Sequence, residues 1–151
     1  MDKKQLQRKI HRLLNQQLQC VLATINGACP MQHMMAYSFS PDLSRIYLAT
    51  YRNTRKFSNM VSNPIVSLFW DNRSGSVQDH LDGYSLTANG HATLLADNDQ
   101  SRAREAILSR NATLKDLLNH PDSRLFEVVV DEYQWTTGYN RVFHFRPTRT
   151  S

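Results

Sequence analysis

Residues 47–70 read YLATYRNTRKFSNMVSNPIVSLFW: a strand end, a polar turn, a short helix and a second strand. Apolar Ile46 to Ala49, followed by Thr50, end the first strand, and Tyr51-Arg52-Asn53 turns the chain. A helix starting near Thr54 must stop at Asn63-Pro64, because proline disfavours helix in the residue before it. Ile65 to Trp70 then resumes as strand. The helix start gathers two hydroxyls (Thr50, Thr54), two cations (Arg55, Lys56) and backbone N–H groups with no partner inside the helix. Such a collar suits a phosphate dianion. The same residues also make an ordinary capped surface helix with solvated Arg and Lys, and both readings stay open at this point.

Outward from that unit the chain reads as strands and turns. Cys20 to Ile25 is a strand, Asn26-Gly27 a tight turn, and Met31 to Ser40 a second strand that Pro41-Asp42-Leu43-Ser44 turns into a third. Beyond Trp70, residues 71–83 are polar and lack periodicity, as in a mobile loop able to overhang a site; Asp79, His80 and Asp82 show no diagnostic metal-ligand spacing. Tyr84 to Ala96 is a long strand in which Gly90 marks a bulge or bend. Residues 98–119 are helical with a break at Asn111-Ala112-Thr113, and strands follow at Leu125 to Tyr133 and Arg141 to Phe145. At the other end, Leu6, Ile10, Leu13, Leu14 and Leu18 recur at helical spacing, so residues 1–19 form a helix covering one end of the strands. The pattern predicts one α+β domain over residues 1–151, dominated by an antiparallel β-barrel with peripheral helices.

Composition narrows the partners. A hydrophobic content of 40% with 21% charged residues is ordinary for a globular protein. No apolar run is long enough to span a bilayer and no signal core follows the Lys-rich start, so no membrane partner and a cytoplasmic location are expected. Cys20 and Cys29 form no CxxC pair and read as structural thiols. The net charge of +5 is uneven: residues 1–19 hold five Lys/Arg against Asp2, residues 134–151 hold three Arg and no acid, and residues 20–133 hold ten basic and twelve acidic residues. Confinement of the excess to two ends argues against a nucleic-acid-binding barrel face. No G-x-G-x-x-G or Walker sequence occurs, nor a Ser-His-Asp or Cys-His arrangement at a recognisable spacing.

The order Thr50, Thr54-Arg55-Lys56, Asn63-Pro64-x-Val66-Ser67-Leu68 resembles the FMN-phosphate segment of the pyridoxamine 5'-phosphate oxidase-like family. Upstream, Pro30-Met31-Gln32-His33-Met34-Met35 resembles that family's second strand, P-x-x-R-M-V. The resemblance implies an FMN-binding split barrel, antiparallel and Greek-key-like, and a homodimer with FMN at its interface. It places Thr50, Thr54, Arg55 and Lys56 at the phosphate and His33, Met34, Met35 and Ala36 along the isoalloxazine, and it brings Trp135 and Arg141 toward cofactor or substrate across the dimer. Trp135 as a core residue and Arg141 as a solvated one is the competing reading, as is a plain strand histidine at position 33.

Departures from the pattern bear on substrate. His33 stands where the family commonly has arginine, Ser38 where the oxidase has a substrate-binding lysine, and Ser85 where it turns a glutamine to the flavin. His144 follows Arg141 by three residues, not the two of the oxidase's R-x-H motif. These differences count against pyridoxamine phosphate. The leading expectation is an FMN-dependent oxidoreductase that meets a small-molecule substrate or a nicotinamide donor, with the flavin supplying the electron chemistry because no side chain stands out as a base or nucleophile. An FMN-binding carrier without turnover is the first alternative. A basic β-barrel for nucleic acid, with its terminal Lys/Arg as phosphate contacts and Tyr51, Phe69 and Trp70 stacking on bases, is the second.

Overall fold

In the computed structural model, which describes residues 1–149, β1 (Gln19–Asn26) and β2 (Cys29–Phe39) form a hairpin in register from Gln19↔Ala36 to Asn26↔Cys29. Its turn opens on Gly27 at φ 60°, the left-handed conformation a II′ hairpin needs at its first central residue. β3 (Arg45–Tyr51), β4 (Ile65–Asp71), β5 (Tyr84–Leu94), β6 (Ser123–Thr137) and β7 (Arg141–Phe145) complete a sheet in the order β3-β2-β1-β4-β5-β6-β7. The 15-residue β6 serves two neighbours on one edge. Its first half pairs with β3 and closes six strands into a barrel, and its second half pairs with β7. Closure shortens the open edges that would otherwise template aggregation.

Gly90 does mark an irregularity. The register between β5 and β6 shifts at Asn89/Gly90 and leaves Asp131 of β6 without a partner position, so the extra residue belongs to the facing strand. A Cβ at Gly90 would run into the Val129 carbonyl oxygen, which is why the glycine sits opposite the bulge.

α1 (Lys3–Gln16) begins on a capping box: the Asp2 carboxylate accepts the Gln5 N–H at 2.8 Å, and the Gln5 side chain accepts the Asp2 N–H at 2.9 Å. Leu6, Ile10, Leu13 and Leu14 enter the barrel core. The carbonyls of Leu14 and Gln17 accept the Tyr37 hydroxyl at 2.7 and 2.8 Å and the Arg110 guanidinium at 2.7 Å each, which satisfies acceptors that a helix end leaves open. Burial pushes the Tyr37 phenol above its ordinary pKa. α1 also lies along β7, with the Lys3 ammonium 5.6 Å from the centre of the Phe145 ring and that of Lys9 6.0 Å from Trp135. The two basic ends, far apart in sequence, are neighbours in space.

The barrel is open where β2 leaves β3. These strands pair only over Tyr37↔Leu48, Ser38↔Tyr47 and Phe39↔Ile46, while β3 continues beside β6 as far as Tyr51. α2 (Arg55–Ser62) packs at this opening, with Met60 in the core and the Phe57 ring edge-on to Phe126 at 5.6 Å. In the polar segment 71–83, α3 (Asp79–Asp82) supplies an anchor: the Asp79 carboxylate accepts N–H groups of Ser74, Gly75 and Ser76, which hold it below the usual carboxylate range. α4 (Gln100–Arg110) and α5 (Lys115–Asn119) cover β3 and β6 through a second core of Tyr47, Ala103, Ile107, Leu118 and Leu125.

Candidate functional site

Thr54 is the N-cap of α2. Its hydroxyl oxygen accepts the Phe57 N–H at 3.3 Å while its hydrogen goes to the Tyr51 carbonyl at 2.9 Å. Thr50, buried, lies 2.9 Å from the Thr54 hydroxyl and is therefore the donor in that pair. Both hydroxyls shape the turn, and neither is the free donor that the sequence suggested. The uncommitted donors are the N–H groups of Arg55 and Lys56, which a helix start leaves open, and the two side chains, which have no acidic partner among the described residues. With no acid in the first turn, the positive helix end and two cations lack a counter-charge.

Beside this collar runs a polar relay. The Asn59 side-chain amide of α2 donates to the Thr24 hydroxyl of β1 at 3.0 Å and to the Met31 sulfur at 3.6 Å; Thr24 in turn lies 2.9 Å from Nε2 of His33 on β2. Thr24 and Asn59 are both buried. The Thr24 oxygen accepts from Asn59, and its contact with Nε2 runs in either direction according to the imidazole tautomer. Burial first, and the nearby Lys56 charge second, hold the His33 pKa below its ordinary value. At neutral pH the imidazole is thereby favoured in its uncharged form. Sequence reasoning missed both Thr24 and Asn59. The available signals were a hydroxyl at an inward position two residues after Leu22, and an asparagine, a weak helix former, inside α2.

Strand alternation divides the ring-side residues. Met34 is 60% exposed and Met35 4%, so the two point to opposite faces of β2. Met35 belongs to the core and offers a ligand only its backbone; the expectation that both thioethers flank one ring does not hold within one chain. Met34 and Ala36 instead line a groove of about 590 Å³ with Val21, Phe69, Arg73 and Asn111, whose buried side-chain nitrogen has no partner among the described residues. On the edge of β2 facing away from β1, the backbone of residues 30–36 has no strand partner among the described residues.

Trp135 is buried and stacked on Tyr84, ring centres 4.7 Å apart, as the core reading had it. Arg141 is exposed at the start of β7. His144 is engaged with Glu132 at 3.3 Å, and Ser38 is buried. The structure thus gathers Thr50, Thr54, Arg55, Lys56 and His33 around the start of α2, sets Met34 and Ala36 on an outer groove, and leaves Trp135 and Arg141 at the β6–β7 hairpin. Burial raises the Cys20 thiol to about 12, so it stays protonated at neutral pH. Among the described residues, no group of three or more His, Cys, Asp or Glu could hold a metal ion, and no helix is long and apolar enough to cross a membrane.

A closed six-stranded antiparallel barrel with a seventh strand, opened between β2 and β3 and covered by helices, is the split-barrel class. The family model described as pyridoxamine 5'-phosphate oxidase matches residues 6–136, and the chain belongs to that family. Its fold is similar to that of a heme binding protein from Mycobacterium smegmatis, with TM-score 0.80, 20% identity, and coverage of 97% of this chain and 58% of that one. This chain thus spans little more than half of that relative's length. General Stress Protein 26 from Bacillus anthracis matches with TM-score 0.70 and 20% identity, covering 93% of this chain and 98% of that one. A protein related to general stress protein 26, of the pyridoxinephosphate oxidase family, from Clostridium acetobutylicum matches with TM-score 0.72 and 14% identity, covering 97% and 96%. Among curated proteins none matches the sequence significantly.

Proposed function

We propose that the chain binds FMN as a homodimer in the cytoplasm and works as an oxidoreductase on a small-molecule substrate, reduced by a nicotinamide donor. The observation that carries the reading is the collar: Arg55 and Lys56, with two free N–H groups, at the opening of the barrel and without counter-charge. That donor set fits a phosphate dianion. Arg55 can grip two oxygens, Lys56 acts as a point charge, and His33 adds a neutral imidazole. The unpaired β2 edge supplies alternating N–H and C=O groups to the polar rim of a flat ring, and Met34 a soft thioether for its face. Bound FMN would supply hydride or electron transfer; the chain contributes position and fixed dipoles. A symmetric partner would cover the Met34 groove. Buried Ser38 and the His144–Glu132 pair count against pyridoxamine phosphate as substrate.

The test is anaerobic rapid mixing of the FMN-loaded protein with NADH or NADPH. Bleaching of the flavin band with either donor supports a reductase. A band that persists with both removes that reading and leaves an FMN-binding carrier as the better account.

A further inference from the structure

A second basic surface lies outside the collar. We propose that the groove between α1 and β7 binds the phosphodiester backbone of single-stranded nucleic acid. The groove, about 590 Å³, is lined by Arg8, Lys9, Arg12 and Arg141 together with Gln5 and Phe143, and no carboxylate faces it. Nearby cations are engaged elsewhere, Arg146 by Glu132 at 3.2 Å and Arg149 by Asp131 at 2.9 Å; the four groove cations have no acidic partner among the described residues. The sequence placed positive charge at two ends, and folding merges them into one surface.

Holding that charge opposes the stability of α1. Lys3 and Lys4 stand in the first turn, against the positive end of the helix, where the Asp2 cap is the one acid. Lys4, Arg8 and Arg12 follow one another at i,i+4 spacing, where like charges destabilise a helix. A helix serving only as cover needs its Leu6, Ile10, Leu13 and Leu14 face and gains nothing from this row. An anion laid along the groove relieves the repulsion.

Geometry selects among anions. The apolar face of α1 is buried in the barrel, so the helix cannot insert into a bilayer. The cations advance by about 6 Å per four residues along the helix, a linear array suited to a chain with regularly repeated charges. Arg141 flanks it from β7, and the half-buried Phe143 beside it offers an aromatic surface for stacking that accepts any base.

Fluorescence anisotropy with a labelled oligothymidylate of about 15 nucleotides tests this. Four phosphate contacts predict a slope of log K against log salt of about −2.8, hence about 50-fold weaker binding on going from about 50 to about 200 mM KCl. Arg8→Gln with Arg12→Gln should halve that slope while leaving FMN content unchanged and raising the thermal midpoint slightly, since the like-charge row on α1 is broken. Arg102→Gln with Lys115→Gln, which removes the same charge from exposed positions on α4 and α5, should change affinity less than twofold. Absence of binding at low salt overturns the proposal. So does equal loss in the control pair, which would mean net charge alone, or equal binding to vesicles of anionic phospholipid, which would mean a surface for any polyanion.

Discussion

α1 and α2 are built alike and anchored differently. Each starts on a side-chain cap, Asp2 or Thr54, and each lacks an acid in its first turn. α1 sinks four aliphatic side chains into the core, and its last carbonyls are clamped by Tyr37 and Arg110. α2 buries Met60 and Asn59 and depends on a chain of hydrogen bonds through Thr24 to His33. Aliphatic burial is non-directional and tolerates small rotations. A hydrogen-bonded relay weakens steeply off its preferred angle, so it fixes the rotation of α2 and with it the places of Lys56 and His33. The thinly packed helix is the one that holds the candidate site, as expected where binding elements come from the less stable parts of a fold.

Substitutions can break this contrast, the largest effect first. Ile10→Ala should cost about 2–5 kcal/mol of unfolding free energy, read from denaturant midpoints, without altering FMN affinity in the fraction that stays folded. Replacing Arg55 and Lys56 together by alanine should do the reverse. FMN affinity should fall by about 2–5 kcal/mol in a fluorescence-quenching titration, with unfolding free energy within about 0.5 kcal/mol of the parent, since neither side chain enters the core. Unchanged flavin affinity would return α2 to the solvated surface helix.

Thr24→Val keeps the shape of the relay and removes its hydroxyl. The buried Asn59 amide loses an acceptor and His33 its hydroxyl partner, so a loss of about 1–3 kcal/mol is expected. A neutral result would show that the relay does not hold α2. The smallest effect is that of pH. The His33 pKa lies below its unfolded value, so between the two the unfolded chain binds the extra proton, and the contribution of His33 is whole at neutral pH. It is lost as pH falls through the folded value. Wild type should lose more stability than His33→Gln between about pH 7.5 and about pH 5.5, a window that starts above the ordinary histidine pKa and ends below it; parallel curves would show that the imidazole is not held neutral.

How much of this was legible depends on distance along the chain. The α2 cap, the Asn63-Pro64 stop, the turn at Gly27 and the irregularity at Gly90 are local, and their residues announce them. The opposite facing of Met34 and Met35 was also legible from period-2 alternation, but a motif match that treats adjacent residues alike hides it. Other features needed the closed barrel. Asn59 and Thr24 are 35 residues apart, so no local pattern joins them. The meeting of α1 with β7 spans almost the whole chain, so no local pattern shows that the two basic ends are neighbours. The anchoring of the 71–83 segment by Asp79 rests on one carboxylate facing successive N–H groups, a backbone arrangement invisible to composition.

The claim that the α2 collar holds a flavin phosphate is tested most directly by the visible spectrum of freshly purified protein, recorded alone and after titration with FMN, alongside its mass in solution. The account predicts a yellow dimer with a flavin band, binding about one FMN per chain, as for a symmetric pair with two equivalent sites. A colourless protein that ignores added FMN, or a Soret band in place of the flavin band, would contradict it.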